Sequence, residues 1–276
     1  MLSYQHIYHA GGFADVQKHA VLTSLLKRLR HKHKALLIVD THAGRGTYNL
    51  KSKEALKTQE FHYGISNFWP SRMEKNPISD FMHIVSSLNK GGTLEQYPGS
   101  AKIAYSLIGN HGTLVLIEKH PQEFAHLEKL FKNTSGVVLG HDDGFEVLLD
   151  TIPVENFASF AIVDPSYEVK KEYLEVFKYV NRAMQKDPSA CFLIWYPILN
   201  AGYHEILLEQ FAELERGNIL CGEIRLEQEI KDSYRLLGSG LIIINPPKKF
   251  EEAFEKINKF IAKRLPVKAE HKIFWI

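Results

Sequence analysis

Residues 164–167, Asp-Pro-Ser-Tyr, combine the groups needed to hold the amino group of a planar base. Asp164 supplies a hydrogen-bond acceptor, Pro165 fixes a turn and aims its own carbonyl, and Tyr167 offers a stacking face. The apolar run Phe160–Val163 precedes them and predicts a buried strand, whose carboxyl end is where open α/β enzymes keep their chemistry. An ordinary type I turn at a strand end has the same sequence, so both interpretations stay open on the tetrapeptide alone.

A glycine loop follows a second buried run, Leu36–Val39. Asp40 ends the run, and Gly44 and Gly46 allow the backbone to pass close to a ligand. The loop lacks the Gly-Lys-Ser/Thr of a phosphate loop and the third glycine of a dinucleotide loop. An acid before such a loop suits a cofactor that carries a positive charge and no phosphate. The sequence therefore predicts S-adenosylmethionine as the cofactor.

Acids also follow two further predicted strands. Glu118 comes directly after Leu114–Ile117, where it could accept both ribose hydroxyls of an adenosine cofactor. Asp143 follows the next strand and could contact the adenine amino group. Each acid alone is typical of a strand end in solvent. Together, however, the four successive strand ends favour one cofactor site, with carboxylates at Asp40, Glu118, Asp143 and Asp164.

Strand-like runs alternate with helical patterns along most of the chain, which predicts an α/β fold with a mostly parallel sheet and helices on both faces. The runs cover residues 35–39, 113–117, 137–139, 160–163, 191–195 and 241–244. Apolar periodicity predicts helices over 15–30 and 249–263. The segment 53–98 interrupts this alternation with a helical pattern and several chain breakers. We predict an inserted helical subdomain over 53–98, with 1–52 and 99–276 forming a Rossmann-like domain.

Composition limits the class of protein without fixing its partner. The 276 residues are 45% hydrophobic and 24% charged, enough for a full core. A net charge of +2 permits a nucleic-acid partner without requiring one. Two cysteines and the absence of a zincin-type histidine pair predict no metal site and a reducing compartment. Since no apolar run approaches the length of a membrane span, we expect a cytoplasmic protein.

Residues near the N-terminus could contact RNA. Tyr4, His6 and Lys18 supply an aromatic ring, a titratable ring and a cation outside the predicted sheet, with Lys18 expected on a phosphate group. Arg45, in the glycine loop, is a second phosphate candidate. An N-terminal arm that packs on the fold explains the same pattern equally well. The basic run 27–34 likewise has two equally supported interpretations, a solvated helix end and an RNA contact.

These motifs together resemble the RlmJ family of bacterial ribosomal RNA methyltransferases, which methylate the exocyclic amine of an adenine in 23S ribosomal RNA. The resemblance covers the whole chain and rests on residues 1–6, 9–11, 14–19, 40–44, 97–100, 118–121, 143–145, 195–197 and 240–247. It implies a class I methyltransferase fold, S-adenosylmethionine as cofactor, and Asp164 as catalytic acceptor. The implied cofactor residues are His19, His42, Ser100, Glu118, Asp143 and Gly144, to which the loop analysis adds Asp40 and Gly44.

The same resemblance favours RNA contact by Tyr4, His6 and Lys18. It implies 23S ribosomal RNA as the partner, free or in an assembly intermediate. The sequence does not give the oligomeric state, although a monomer is favoured. The chain departs from the family at one position, since Ser166 stands where the family pattern Asp-Pro-Pro-Tyr has its second proline. We expect activity to survive, because the chemistry uses Asp164, the Pro165 carbonyl and Tyr167.

Two other classes of function remain compatible with the sequence. One is a methyltransferase that acts on DNA adenine or on an amine of a protein or small molecule. The other is a protein that binds cofactor and RNA but has lost catalysis through Ser166. The run 245–247, Asn-Pro-Pro, also begins like an amine-methylating motif, but no aromatic residue follows it. We interpret it as the end of the last predicted strand.

Overall fold

The structure is a computed structural model that describes residues 4–214, 218–227 and 236–276. The motif residues 1–3, used in the family resemblance, lie outside these ranges. Within the described residues the central sheet has eight strands: β1 (Leu36–Asp40), β4 (Gly112–Ile117), β5 (Val137–Gly140), β6 (Ala158–Val163), β7 (Cys191–Ile198), β8 (Ile219–Leu226), β9 (Gly238–Ile244) and β10 (Ala269–Trp275). A separate two-stranded ribbon pairs β2 (Thr47–Asn49) with β3 (Gln96–Pro98).

The strand order is β10-β8-β9-β7-β6-β1-β4-β5. It places the predicted site residues, which follow the carboxyl ends of the parallel strands, along the same side of the sheet. Strands β5, β4, β1, β6 and β7 run parallel, whereas β9 and β10 are antiparallel to their neighbours. From β1 the chain proceeds to β4 and β5 on one side and then returns to β6 on the other. The order therefore reverses between β1 and β6, and such a reversal opens a crevice at the carboxyl ends of the strands.

Helices cover both faces of the sheet. They are α1 (Phe13–Lys32), α2 (Lys53–Thr58), α3 (Ser79–Leu88), α4 (Ser100–Ile108), α5 (Pro121–Phe131), α6 (Gly144–Thr151), α7 (Lys171–Lys186), α8 (Tyr203–Ala212) and α9 (Phe250–Ala262). Side chains alternate across each strand, so Leu36 and Ile38 join the hydrophobic cluster under α1, α4 and α9. Leu37 and Val39 join the opposite cluster, under α6, α7 and α8. The predicted α/β fold, with a mostly parallel sheet and helices on both faces, is confirmed.

The segment between β2 and β3 contains α2, several short 3-10 turns and α3. Its base lies beside the glycine loop, because Gly99 N–H donates to the Gly46 carbonyl at 2.9 Å. The sequence did not predict β2, β3, β8 or β10, since β2 and β3 are three residues long and β10 is a half-exposed edge strand without a continuous apolar run. The exact subdomain boundaries stay a prediction. None of the described helices is long and apolar enough to cross a membrane.

Candidate active site

The loop after β1 is shaped by two glycines in the left-handed region, Gly44 with φ +57° and Gly46 with φ +79°. A Cβ atom on Gly44 would lie 2.3 Å from the Tyr48 hydroxyl, so only glycine fits there. The Gly44 N–H donates to Glu118 Oε2 at 2.9 Å, which fastens the loop to the end of β4. At Gly44 the loop therefore presents backbone to the crevice.

A first cavity of about 210 Å³ occupies this crevice. Seven of the predicted cofactor residues line it: His19, His42, Gly44, Ser100, Glu118, Asp143 and Gly144. The tertiary fold thus brings together residues from the ends of β1, β4 and β5, from the second turn of α1 and from the first turns of α4 and α6. Gly144 is required here by close packing, because a Cβ atom would lie 1.9 Å from the Thr41 carbonyl oxygen.

Asp40 is the exception among the predicted cofactor residues, because it does not line this cavity. Its side chain is fully buried beneath the loop, where Oδ1 accepts from the His42 N–H at 3.3 Å. Burial raises the pKa of Asp40 to about 7, although the Ser100 hydroxyl and the His42 N–H both lower it. The expected direct contact with a cofactor is therefore corrected to a supporting position under the glycine loop.

The two acids at the rim already have protein partners. Glu118 accepts the N–H groups of Gly44 and His120, the latter at 2.6 Å, and burial raises its pKa. Asp143 caps α6 by accepting from Phe145 N–H at 3.1 Å, and it pairs with Lys119 at 2.7 Å. Burial raises the pKa of Asp143, but the hydrogen bond and charge of Lys119 outweigh this effect and lower it. Both carboxylates are consequently held in fixed orientations, with lone pairs left for a ligand.

Two of the histidines that line the first cavity, His19 and His42, are neutral at physiological pH. Burial lowers the pKa of His19 to about 3 and that of His42 to about 4. His19 Nδ1 lies 2.8 Å from the Tyr97 hydroxyl, and His42 Nδ1 lies 2.7 Å from the Thr41 hydroxyl. These rings therefore contribute hydrogen-bonding groups without adding positive charge.

The charge of the first cavity is strongly negative. Among the described residues two lysines line it, Lys18 and Lys119, against seven carboxylates: Glu118, Glu123, Asp143, Asp164, Glu168, Glu172 and Glu175. Such a lining favours a ligand that carries positive charge. Within the same part of the chain, no group of three or more His, Cys, Asp or Glu side chains could hold a metal ion.

A second cavity of about 490 Å³ adjoins the first. Its walls are largely apolar and aromatic, with Phe13, Pro165, Tyr167, Trp195, Pro197, Leu199 and Leu236 among them. Both cavities are lined by Tyr4, His6, Lys18, Asp164 and Ser166. Asp164 therefore lies where two pockets of different chemistry meet.

Asp164 is held by a chain of buried polar contacts from α1. Its Oδ2 lies 2.5 Å from Lys18 Nζ, which also contacts Asp15 Oδ1 at 3.0 Å. Asp15 Oδ2 lies 2.8 Å from His6 Nε2, and His6 Nδ1 lies 2.9 Å from the Tyr4 hydroxyl. Burial lowers the pKa of Lys18, but the charges of Asp164 and Asp15 outweigh it and raise that pKa overall. The whole chain links the N-terminal residues to the predicted catalytic acid.

Two predicted phosphate contacts are replaced by internal ion pairs. Lys18 is buried between Asp15 and Asp164, so it is not a cation at the surface. Arg45 makes a two-pronged contact with Glu123, at 2.8 Å through Nε and 2.5 Å through Nη2. The sequence could not distinguish these cases from phosphate ligands, because the partner carboxylates lie on other elements or one helical turn away.

Tyr167 adopts a left-handed backbone conformation, φ +52°, which is unusual for a residue with a side chain. Its hydroxyl donates to the Trp195 carbonyl at 2.7 Å, and its ring packs on Tyr173 with centroids 4.4 Å apart. Ser166 Oγ lies 3.4 Å from Glu172 Oε1, so the hydroxyl ties the turn to the start of α7. These contacts hold the turn in the absence of a second proline.

Some cavity residues were given no individual role from the sequence. Trp195 forms part of the second cavity, and Phe145 and Lys119 line the first. Lys119 follows the carboxyl end of β4, which was the available signal, whereas Trp195 lies inside β7 and Phe145 in the first turn of α6. Asn245, in contrast, ends β9 and donates to the Ala190 carbonyl at 2.8 Å, which agrees with the structural interpretation of the 245–247 motif.

Comparison with known proteins shows the family of this chain. The sequence profile described as "Ribosomal RNA large subunit methyltransferase D, RlmJ" matches residues 33–276. The chain belongs to the RlmJ family of methyltransferases. RlmJ relatives named "Ribosomal RNA large subunit methyltransferase J" include a Haemophilus influenzae protein, 32% identical over 272 residues that cover 96% of this chain and 94% of the relative. The Escherichia coli protein of the same name is 31% identical over 278 residues, covering 100% of this chain and 99% of the relative.

A solved structure gives the same result for the fold. The crystal structure of a Legionella pneumophila protein matches with a TM-score of 0.88 and 32% identity, covering 96% of this chain and 98% of that protein. The suspected RlmJ membership is thus confirmed, and the chain is an enzyme of the methyltransferase class. The roles of the individual site residues stay predictions.

Proposed function

We propose that this enzyme transfers the methyl group of S-adenosylmethionine to the exocyclic amine of an adenine in 23S ribosomal RNA. The observation that carries this proposal is the position of Asp164 at the junction of the two cavities. The first cavity suits a cationic adenosine cofactor, and the second offers aromatic and apolar walls to a base. The names of the Haemophilus influenzae and Escherichia coli relatives support large-subunit ribosomal RNA as the substrate.

The residues of the first cavity fit S-adenosylmethionine, which supplies a methyl group on a sulfonium ion when bound. Glu118 would accept from the ribose hydroxyls, and Asp143 would accept from the adenine amino group. Gly44 would present its backbone to the cofactor, because it lines the cavity while the direction of a Cβ atom is filled by the Tyr48 hydroxyl. The seven carboxylates around the cavity favour the positive charge of the methyl donor.

Asp164 and Pro165 would prepare the amine for attack. The lone pair of an adenine amine is conjugated with the ring, so the amine is a poor nucleophile. If the Asp164 carboxylate and the Pro165 carbonyl each accept a hydrogen bond from one N–H of the amine, the nitrogen moves toward tetrahedral geometry. The nitrogen then forms its new bond to the methyl carbon as the carbon–sulfur bond breaks, and one amine proton leaves toward Asp164. Positioning and aimed dipoles provide the acceleration.

The second cavity would receive the base after it has left its stack. Tyr167 and Trp195 provide aromatic surface in the cavity, next to the acid. Extrusion of a base is easiest in single-stranded or looped RNA. Tyr4 and His6 line both cavities and would contact the RNA there. Lys18 would hold the Asp164 carboxylate in position from below.

A labelling experiment tests the proposed reaction. The enzyme is incubated with radiolabelled S-adenosylmethionine and unmodified 23S ribosomal RNA, with transfer RNA and duplex DNA in parallel, and labelled nucleosides are identified after digestion. We expect label in N6-methyladenosine at one position of 23S RNA. No label, or label outside an adenine amine, would refute the proposal. Parallel reactions with assembled subunits decide whether free RNA is the better substrate.

Asp164→Asn tests the catalytic assignment. Loss of one aimed charged acceptor should lower the rate of methyl transfer by about 100-fold or more. Cofactor affinity, measured by calorimetry, should stay near that of the unmodified enzyme. Asp150→Asn, at an exposed position of α6, is the matched control and should change neither quantity. A collapse of cofactor binding in Asp164→Asn would instead make Asp164 a cofactor ligand.

A further inference from the structure

A row of aromatic side chains leads from the second cavity to the protein surface. Trp195 and Tyr167 line the cavity, with ring centroids 5.8 Å apart. Tyr167 contacts Tyr173 at 4.4 Å, and Tyr173 contacts Tyr203 at 5.9 Å. Tyr203 lines neither cavity and is partly exposed. Tyr173 is buried, so the row runs beneath the surface from the proposed base pocket and reaches solvent at Tyr203.

The outer end of this row carries a cation. Lys170 Nζ lies 4.9 Å from the centroid of the Tyr203 ring, and the Lys170 side chain is exposed. Val169, the preceding residue, is 56% exposed. The neighbouring Lys171 pairs with Glu175 at 2.6 Å, so its charge is locally compensated. An aromatic face, an apolar side chain and a cation thus lie together beside the site.

Topology explains why these residues are neighbours. Lys170 follows the carboxyl end of β6, and Tyr203 follows the carboxyl end of β7, the adjacent parallel strand. Gly202, with φ +67°, turns the chain into α8 so that Tyr203 occupies the first position of that helix. The group consequently lies on the same edge of the sheet as Asp164.

The charges around the site favour this side as the path of the RNA strand. Seven carboxylates of the described chain line the first cavity, and Glu168 is one of those that also line the second; these carboxylates would repel phosphate groups. The outer end of the aromatic row has the exposed ammonium group of Lys170. Three acidic residues lie two positions from this pair in sequence: Glu168 and Glu172 on either side of Lys170, and Glu205 after Tyr203. The Lys170 ammonium group is nevertheless the cation that a strand leaving the second cavity would meet beside the Tyr203 ring.

We propose that Tyr203 and Lys170 bind the RNA nucleotide next to the target adenine. Its base stacks on the Tyr203 ring, and the Lys170 ammonium group moves from the ring face to the adjoining phosphate. Stacking on an aromatic face combined with a nearby cation is how proteins bind single-stranded RNA without reading its sequence. This inference rests on the proposed RNA substrate.

Binding of unmodified 23S RNA by single-site variants tests the inference. Tyr203→Ala should weaken RNA affinity about tenfold, whereas Tyr203→Phe, which keeps the ring, should stay within about twofold. Lys170→Ala should lower the slope of log affinity against log salt by about 0.7, as expected for one lost contact to a single-strand phosphate. Cofactor affinity should be unchanged in all three, because neither residue lines the first cavity.

A matched pair elsewhere provides the control. Tyr105 and Lys102 on α4 form a similar cation–aromatic pair, 5.8 Å apart, with Tyr105 packed on Phe131. Tyr105→Ala should leave RNA affinity unchanged. The inference would be overturned if Tyr105→Ala and Tyr203→Ala had equal effects, or if Tyr203→Ala left RNA affinity unchanged. In either case, methyl transfer to RNA by the unmodified enzyme would still support the proposed function. Absence of RNA binding by the unmodified enzyme would overturn both.

Discussion

The ion pair between Lys18 and Asp164 can be measured by a double-mutant cycle of Lys18→Met, Asp164→Asn and the combined variant. The two charges are 2.5 Å apart, with side chains 5% and 14% exposed. At the effective dielectric of a protein, charges in contact attract by about 4 kcal/mol, and desolvation offsets much of this. The pair should therefore matter most when one partner is removed alone.

The contacts around the pair determine which single variant loses more free energy of unfolding. Lys18→Met leaves Asp15 and Asp164 buried without their shared cation, and should lower the free energy of unfolding by about 4 kcal/mol. Asp164→Asn leaves Lys18 its contact with Asp15 at 3.0 Å. Its loss of stability should therefore be smaller, about 2 kcal/mol. In the combined variant the losses should fall short of their sum by about 2 kcal/mol.

Equilibrium unfolding in urea at pH 7 gives the four free energies. The exposed pair Lys27–Asp80, 2.6 Å apart with side chains 48% and 55% exposed, is the control, and its coupling should be below about 1 kcal/mol. Additive losses for Lys18 and Asp164, within about 0.5 kcal/mol, would refute the buried ion pair. A larger loss in Asp164→Asn than in Lys18→Met would refute the role of Asp15 as a second partner.

Three further variants test the site. Gly44→Ala should weaken cofactor affinity about tenfold or more in calorimetry, because the new Cβ meets the Tyr48 hydroxyl and φ is positive; unchanged affinity would contradict the loop geometry. Burial raises the pKa of Asp40 to about 7 in the folded protein, whereas the carboxyl ionises at about pH 4 in the unfolded chain. The free energy of unfolding should therefore fall as pH rises from about 4 to 7. Asp40→Asn should remove that decrease in urea titrations across this range, and parallel pH curves for the two proteins would count against it. Ser166→Pro should retain methyl transfer and make it less sensitive to Glu172→Ala, since proline replaces the Ser166–Glu172 contact in holding the turn; equal sensitivity in both backgrounds would show that this contact does not hold the turn.

Local patterns in the sequence predicted the elements that carry the site. Buried parallel strands such as Phe160–Val163 are continuous apolar runs, so their carboxyl ends can be located directly. From this property the sequence alone predicts that Glu118, Asp143 and Asp164 lie at the carboxyl ends of strands, on the same side of the sheet. The strands β8 and β10 lacked such runs, since one contains Gly222 and Glu223 and the other is half-exposed. Their pairing depends on neighbours distant in sequence.

Only the tertiary structure decided the partners of the charged residues. The sequence alone determined the class of fold, the glycine loop after β1 and the position of the acid in the predicted catalytic motif, because each depends on short contiguous patterns. Lys18 and Asp164 are 146 positions apart, and Arg45 and Glu123 are 78 apart. A lysine that binds phosphate and one that holds a buried acid have the same side chain. Burial and the nearest carboxylate distinguish them, and both are properties of the folded chain.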